Sequence, residues 1–246
     1  MNRKTERLKG QIKRWGASIV GVADLTHKGV REALSGEFQH FTRAVSMAIH
    51  CDPVKFSVKA QEADGQGDQI LGYMEENKTA VNRLNRILKH LKTEFRMRRF
   101  RYFILPPISN SDNRTFSSAL FHLFPHKMAA TCAGLGWIGK NGMLINRRYG
   151  PNLIWATILT NAPLEPTSDQ IMQSNCEDCV LCKTVCPASA VKGVNWVRGL
   201  GADKLVDFKA CAGQMESNAK KFGRPVCGIC FMACPYGTDD ALMAIN

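Results

Sequence analysis

Residues 176–187 read CEDCVLCKTVCP and residues 227–235 read CGICFMACP. The first is a C-x2-C-x2-C-x3-C-P run, the second a C-x2-C-x3-C-P run. Any fold of this chain must bring these side chains together, because their spacing is that of cluster ligands. The two runs hold seven cysteines, and Cys211 between them makes eight. Eight thiolates are what two [4Fe–4S] clusters take. Three cysteines at two-residue intervals reach three irons of one cubane, and the cysteine before the proline ligates the other cluster. That rule assigns Cys176, Cys179, Cys182 and Cys234 to one cluster. It assigns Cys186, Cys211, Cys227 and Cys230 to the other, with Cys211 placed by counting rather than by spacing. Pro187 and Pro235 follow the runs, where a fixed φ turns the chain away. The competing readings are weaker. Zinc sites favour two C-x2-C pairs, and disulfides need an oxidising compartment.

A chain of 246 residues with 45% hydrophobic content suits one large domain, or a medium one plus a small one. The formal net charge is +12. Two clusters with their thiolates bring it to about +8. A basic surface fits nucleic acid, a phosphate- or carboxylate-bearing ligand, or an acidic low-potential electron donor such as ferredoxin or flavodoxin. The N-terminal MNRKTERLKGQIKRWG has no apolar stretch and no twin-arginine leader, so neither a signal peptide nor a membrane partner is expected. No segment has the length of a membrane span. The expected compartment is the cytoplasm, where reduced thiols favour cluster assembly.

Taken in order, residues 4–15 read as a helix ended by Gly16, and 17–23 as a buried strand. A helical turn is expected over 28–35 and a second strand over 44–50. Residues 59–68 and 109–115 read as polar loops. Residues 79–96 form the longest helix, with Val81, Leu84, Ile87, Leu88, Leu91 and Phe95 on one face. Its other face carries Arg83, Arg86, Lys89, Lys92 and Arg96, read as solvated rather than as a nucleic-acid face because no aromatics interleave. Tyr102 to Leu105 reads as a strand. Residues 116–132 read as mostly helical, with Pro125 at a break. Strands follow over 143–146 and 152–160, and the proline-containing 161–170 reads as a linker. The expected domains are therefore 1–165 and 166–246. Cys51 and Cys132 fall outside the ligand set and read as small buried hydrophobes.

The stretch GLGWIGKNG at 134–142 imitates two phosphate-binding patterns. As G-x-G-x-x-G it lacks the preceding strand and following helix. As G-x4-G-K it has Asn141 where a Ser or Thr must bind magnesium. Gly134, Gly136, Gly139 and Gly142 permit close backbone approach, Lys140 brings charge and Trp137 a flat apolar face. They suit either a large ligand with amide or phosphate edges or a tight turn packing helix on strand.

The segments CAGLGWIGKNGMLINRRYGPNLIWATILTNAPLEP, CEDCVLCKTVCPASAV and CGICFMACPYG, with the N-terminal WGASIVGVADL, resemble the epoxyqueuosine reductase family and its relatives, the corrinoid-dependent reductive dehalogenases. The resemblance implies an α+β fold: a nitroreductase-like, cobalamin-processing core followed by a two-[4Fe–4S] ferredoxin-like domain. It implies electron passage through two clusters to a bound cobalamin. Gly134, Gly136, Trp137, Gly139, Lys140, Asn141 and Gly142 would border the corrin. A nitroreductase-like core leaves flavin open in its place. Members of the family that modify tRNA carry an Asp in a DSAP-like segment and a C-terminal helical-repeat extension. A gapless alignment puts Leu120 at the Asp, the nearest upstream acid is Asp112, and the chain stops soon after Cys234.

His126, in a His-Lys pair ahead of the glycine loop, is a candidate proton donor or cobalt ligand, or else a core histidine bonded to backbone. His122, Tyr102 and Tyr149 are further candidate donors without a motif. Three functions follow: a cobalamin-dependent oxidoreductase or corrinoid-reducing protein, an electron-transfer protein without substrate chemistry, and an epoxyqueuosine reductase acting on tRNA, which the missing Asp disfavours.

Overall fold

The computed structural model describes residues 3–32, 34, 36–51, 65–107, 126–223, 225 and 227–236. Leu120, Asp112, His122, Pro125, the polar stretch 109–115 and residues 59–64 lie outside them. In chain order the elements are α1 (Arg3–Arg14), β1 (Ile19–Asp24), α2 (Lys28–Arg31), a 3-10 turn (Gly36–Phe38), β2 (Arg43–His50), α3 (Gly65–Met97) and β3 (Tyr102–Leu105). Then come α4 (His126–Cys132), β4 (Trp137–Ile138), β5 (Leu144–Ile145), β6 (Leu153–Thr160), α5 (Leu181–Thr184), a 3-10 turn (Ala202–Lys204), α6 (Phe208–Phe222) and α7 (Ile229–Met232). They divide into two compact units. One comprises Met1–Cys51, Asn77–Leu135 and Leu153–Met172, the other Asp52–Glu76, Gly136–Asn152 and Gln173–Asn246.

The first unit is built on an antiparallel sheet in the order β1-β2-β6-β3. The central strands are RAVSMAIH and LIWATILT, apolar runs rather than alternating ones. Such runs have both faces covered, and every interior residue of β2 is buried. Helix α4 packs on β1, β2 and β6, and α1 on β1. Leu84, Ile87, Leu88, Leu91 and Phe95 of α3 are buried as the periodicity requires. Each is worth about 1.5–3 kcal/mol relative to exposure. Arg83, Arg86, Lys89, Lys92 and Arg96 on the opposite side are exposed. The helix begins at Gly65, so residues 65–68, read as loop, are helical. Helix growth is cooperative, and the good helix formers that follow carry the weak glycine-rich first turn.

Residues 161–170 are not a loose linker. Thr167 lies along the edge of β1: its amide donates to the Val22 carbonyl at 2.9 Å, and its hydroxyl accepts from the Val22 amide at 3.1 Å. The Arg43 Nε donates to the Leu164 carbonyl at 2.7 Å, and Ala162 and Leu164 are buried. The segment covers an edge that would otherwise present unpaired backbone groups. Cys51 and Cys132 are buried, as expected.

The second unit has little regular structure. Strands β4 and β5 form a hairpin pairing Trp137 with Ile145 and Ile138 with Leu144. The one-turn helices α5 and α7 pack against each other. Val191 and Val206 form an isolated antiparallel bridge, and Ala190, Leu205 and Val206 make a small buried core. Helix α6 starts at Asp207, whose carboxylate accepts from the amides of Lys209 and Ala210, both at 3.0 Å. Gly223, with φ of 74°, ends it. No helix among the described residues is long and apolar enough to cross a membrane.

Candidate metal centre

The eight cysteines come from four short pieces of the second unit. Cys176 and Cys179 lie in a tight loop closed by the Cys179 amide donating to the Cys176 carbonyl at 2.9 Å. Cys182 sits on α5 and Cys230 on α7. Cys211 lies in the first turn of α6, held there by the Asp207 cap. The sequence signal for its placement was Asp207 four residues ahead, an N-cap residue before a helical run.

Electrostatics sorts the thiols. Cys234 is pushed up to about 12 by burial, opposed by the Tyr236 backbone N–H, and raised further by Cys176, Cys182 and Cys179. Cys182 is raised by burial and then by Cys176 and Cys179. Cys211 is raised by burial and then by Cys227 and Cys186. Cys230 is pushed up to about 12 by burial and then by Cys227, Cys182, Cys186 and Cys211. Cys176, Cys179, Cys182 and Cys234 line one small cavity, and Cys230 lies near Cys182 as well as near Cys227, Cys186 and Cys211. Crowded thiols resist becoming thiolates together, so a metal binding them would have to displace their protons.

Backbone donors are already aimed at the sulfurs. The Ala190 amide donates to Cys186 Sγ at 3.2 Å. The amides of Lys183 and Cys182 donate to Cys182, and that of Tyr236 to Cys234. Such N–H···S bonds hold thiolates and set cluster potentials. Among the described residues no three His, Cys, Asp or Glu side chains gather tightly enough for a single metal ion. A tetrahedral zinc would draw its sulfurs to about 3.8 Å from one another.

The glycine loop is part of this unit from Gly136 onward, and its residues are employed within it. The Gly139 amide donates to the Met143 carbonyl and the Gly142 amide to the Gly139 carbonyl, both at 2.8 Å. A Cβ on Gly136 would collide with the Ile145 carbonyl, and one on Gly139 with the Ile145 side chain. The close approach that glycine permits is therefore to β5. Trp137 is fully buried, edge-on to Tyr236 at 4.8 Å, and its indole N–H has no partner among the described residues. Lys140 Nζ donates to the carbonyls of Glu177 at 2.6 Å and Cys179 at 3.0 Å. Asn141 Nδ2 donates to the Cys230 carbonyl at 3.1 Å, while its Oδ1 accepts from the Met143 amide. Sequence reasoning missed Asn195, which donates to the Glu177 carbonyl at 3.1 Å, and Tyr236, which donates to the Asn175 carbonyl at 3.1 Å. Neither carries a motif.

His126 belongs to the first unit. Its Nε2 lies 3.1 Å from the Pro106 carbonyl and must donate to it, so Nδ1, 2.9 Å from Thr157 Oγ1, accepts the threonine proton. Burial holds its pKa down at about 4, the Pro106 bond opposing. With both nitrogens engaged and the ring neutral, this is the arrangement of a core histidine. Gly134 is likewise committed within the first unit, where it packs against Ser168.

No family model matches the chain. Over 111 residues it is 32% identical to an epoxyqueuosine reductase of Lactococcus garvieae (strain Lg2), a stretch covering 44% of this chain and 30% of that protein. The chain is related to the epoxyqueuosine reductases. Its fold is shared with an epoxyqueuosine reductase crystallised with an epoxyqueuosine-modified tRNA stem loop, at a TM-score of 0.56 and 17% identity, covering 95% of this chain and 65% of that one. It is shared equally with a reductive dehalogenase whose structure suggests a mechanism for B12-dependent dehalogenation, at a TM-score of 0.64 and 17% identity, covering 100% of this chain and 34% of that one. The match thus spans under a third of the Lactococcus reductase, and the chain less than two thirds of either solved structure. The resemblance read from the motifs holds, and the mixed α/β architecture is that of both groups.

Proposed function

We propose that this chain is an oxidoreductase of the epoxyqueuosine-reductase kind, with two [4Fe–4S] clusters in its second unit. The observation that carries the reading is that Cys176, Cys179, Cys182 and Cys234, the set that crossed ligation requires for one cluster, line a single small cavity although Cys234 is distant in sequence. Cys176, Cys179, Cys182 and Cys234 hold one cluster, and Cys186, Cys211, Cys227 and Cys230 the other. When bound, the clusters supply two electrons singly. Deoxygenating an epoxide to an alkene consumes two electrons and two protons and releases water, so the count agrees. The protein's own part is to hold the thiolates with backbone N–H groups and to anchor the cysteine loop through Lys140 and Asn195.

Cobalamin is the acceptor that the reductase and dehalogenase relatives suggest, with the sheet unit as its core and a ferredoxin- or flavodoxin-type donor upstream. Of the residues read for the corrin, Gly136, Gly139, Lys140 and Asn141 make contacts inside the second unit. An electron-transfer role without substrate chemistry is the second reading, favoured by His126 being committed to Thr157 and Pro106.

Anaerobic reconstitution should give about eight iron and eight sulfide per chain. The reduced protein should convert an epoxyqueuosine-containing tRNA to the alkene, more so with added cob(II)alamin, whose EPR signal should shift on binding. Loaded clusters with no cobalamin shift and no turnover would leave electron transfer alone. Failure to load cubanes would sink the cluster reading.

A further inference from the structure

Lys140 and Asn141 are consecutive at the tip of the β4–β5 hairpin, yet they reach different thiol groups. Lys140 bonds the loop that carries Cys176 and Cys179, and Asn141 bonds the carbonyl of Cys230. Both residues line a small cavity with Cys176, Cys179, Cys182 and Cys234. At 4% exposure, Lys140 is the only Lys, Arg, Asp or Glu in the buried class among the described residues. No ion pair among the described residues includes it. A buried ammonium with only carbonyls around it is incompletely compensated. Four of the residues lining that cavity with it are cysteines, whose thiols become anionic when they bind iron. Glu177, whose carbonyl meets the ammonium, is in a left-handed conformation with φ of 44°, so the loop is bent to bring that carbonyl round.

We propose that Lys140 makes the two clusters unequal, raising the reduction potential of the cluster held by Cys176, Cys179, Cys182 and Cys234 above that of its neighbour. The inference rests on the two-cluster reading above. Reduction adds one electron to a cluster, taking its core from 2+ to 1+, and the added negative charge is favoured beside a buried cation at low effective dielectric. Asn141 gives the other group the same kind of anchor without the charge. Electrons entering the protein then come to rest first on the Cys176 side. Lys140 is a positioning residue for charge, acting through the cluster rather than on substrate.

The test is an EPR-monitored dithionite titration of the reconstituted full chain. Wild type should show two separated one-electron waves, and Cys234→Ser should perturb the higher one. Lys140→Gln, which keeps a donor and removes the charge, should lower the higher wave by at least tenfold in its reduction equilibrium, about 59 mV, and leave the other in place. Lys140→Arg should restore it. Loaded Lys140→Gln with both waves unmoved, or Lys140→Arg shifted as far as Lys140→Gln, would overturn the proposal. If Lys140→Gln does not load, a single wave in wild type, or a lower wave that responds to Cys234→Ser, overturns it equally. Wild type that binds no cubanes would instead fail the reading on which the proposal rests.

Discussion

The two units solve the problem of stability differently. The sheet unit carries its own apolar core, with Val22, Ala44, Val45, Met47, Ile158 and Leu159 wholly buried between covered faces. Among the described residues the cysteine unit buries Trp137, Leu144, Ile145, Val191, Leu205, Val206 and Phe231, and it holds six of the seven exposed large hydrophobics, from Val180 to Phe208. Fewer buried apolar side chains leave less burial to hold this unit than the sheet unit has. Its interior is organised around sulfur, with amides and one ammonium aimed at the cysteine loops. One unit is held by what its side chains exclude, and the other adds polar contacts directed at its cysteine loops.

That contrast breaks first under metal removal, where the largest effect is expected. Chelating iron from the reduced protein should abolish slow amide exchange in α5, α6 and α7 while β2 and β6 stay protected, as read by hydrogen-exchange mass spectrometry. Retained protection in the cysteine unit would mean its core suffices without metal. Leu84→Ala probes the other side. Leu84 is fully buried on α3, and its truncation should cost about 3 kcal/mol in urea unfolding of the sheet unit. Iron content should not change; a parallel loss of iron would mean that the two units are not energetically separate.

The third effect is of similar or smaller size and depends on pH. His126 has its pKa lowered from 6.5 to about 4, so the unfolded chain binds a proton between those values that the folded one does not. Its contribution is intact above pH 6.5, falls as pH drops toward 4, and levels off below. The loss amounts to about 3 kcal/mol. The difference in stability between wild type and His126→Gln should therefore narrow as pH falls through that window. A constant difference would show that the ring is not held neutral in the fold.

Much of this was legible in the residues. The strands at 17–23, 44–50 and 152–160 are apolar runs with β-branched residues, and such runs can be satisfied only in a sheet covered on both faces. The buried face of α3 follows from 3.6-residue periodicity. Seven of the eight cysteines and their grouping are read from spacing, because a short loop limits how far three thiols can spread, and Cys211 is added by counting. Less legible were the contacts between stretches distant in sequence. Residues 161–170 have a linker's composition, yet Thr167 closes the β1 edge, a role that only the neighbouring backbone creates. His126 had three readings by residue type, and Pro106 and Thr157, 20 and 31 positions away, supply the partners of its two ring nitrogens.

The glycine loop marks the boundary most clearly. By itself the sequence determined that its backbone approaches something closely and that Lys140 carries a charge there, since glycine and lysine allow little else. Only the tertiary structure decided what is approached: Ile145 across the hairpin, and the carbonyls of Glu177, Cys179 and Cys230. Local chemistry is written in residue type and spacing. The partner of a buried polar group is fixed by which distant segments the fold brings within hydrogen-bond range, and no short window of sequence contains that information.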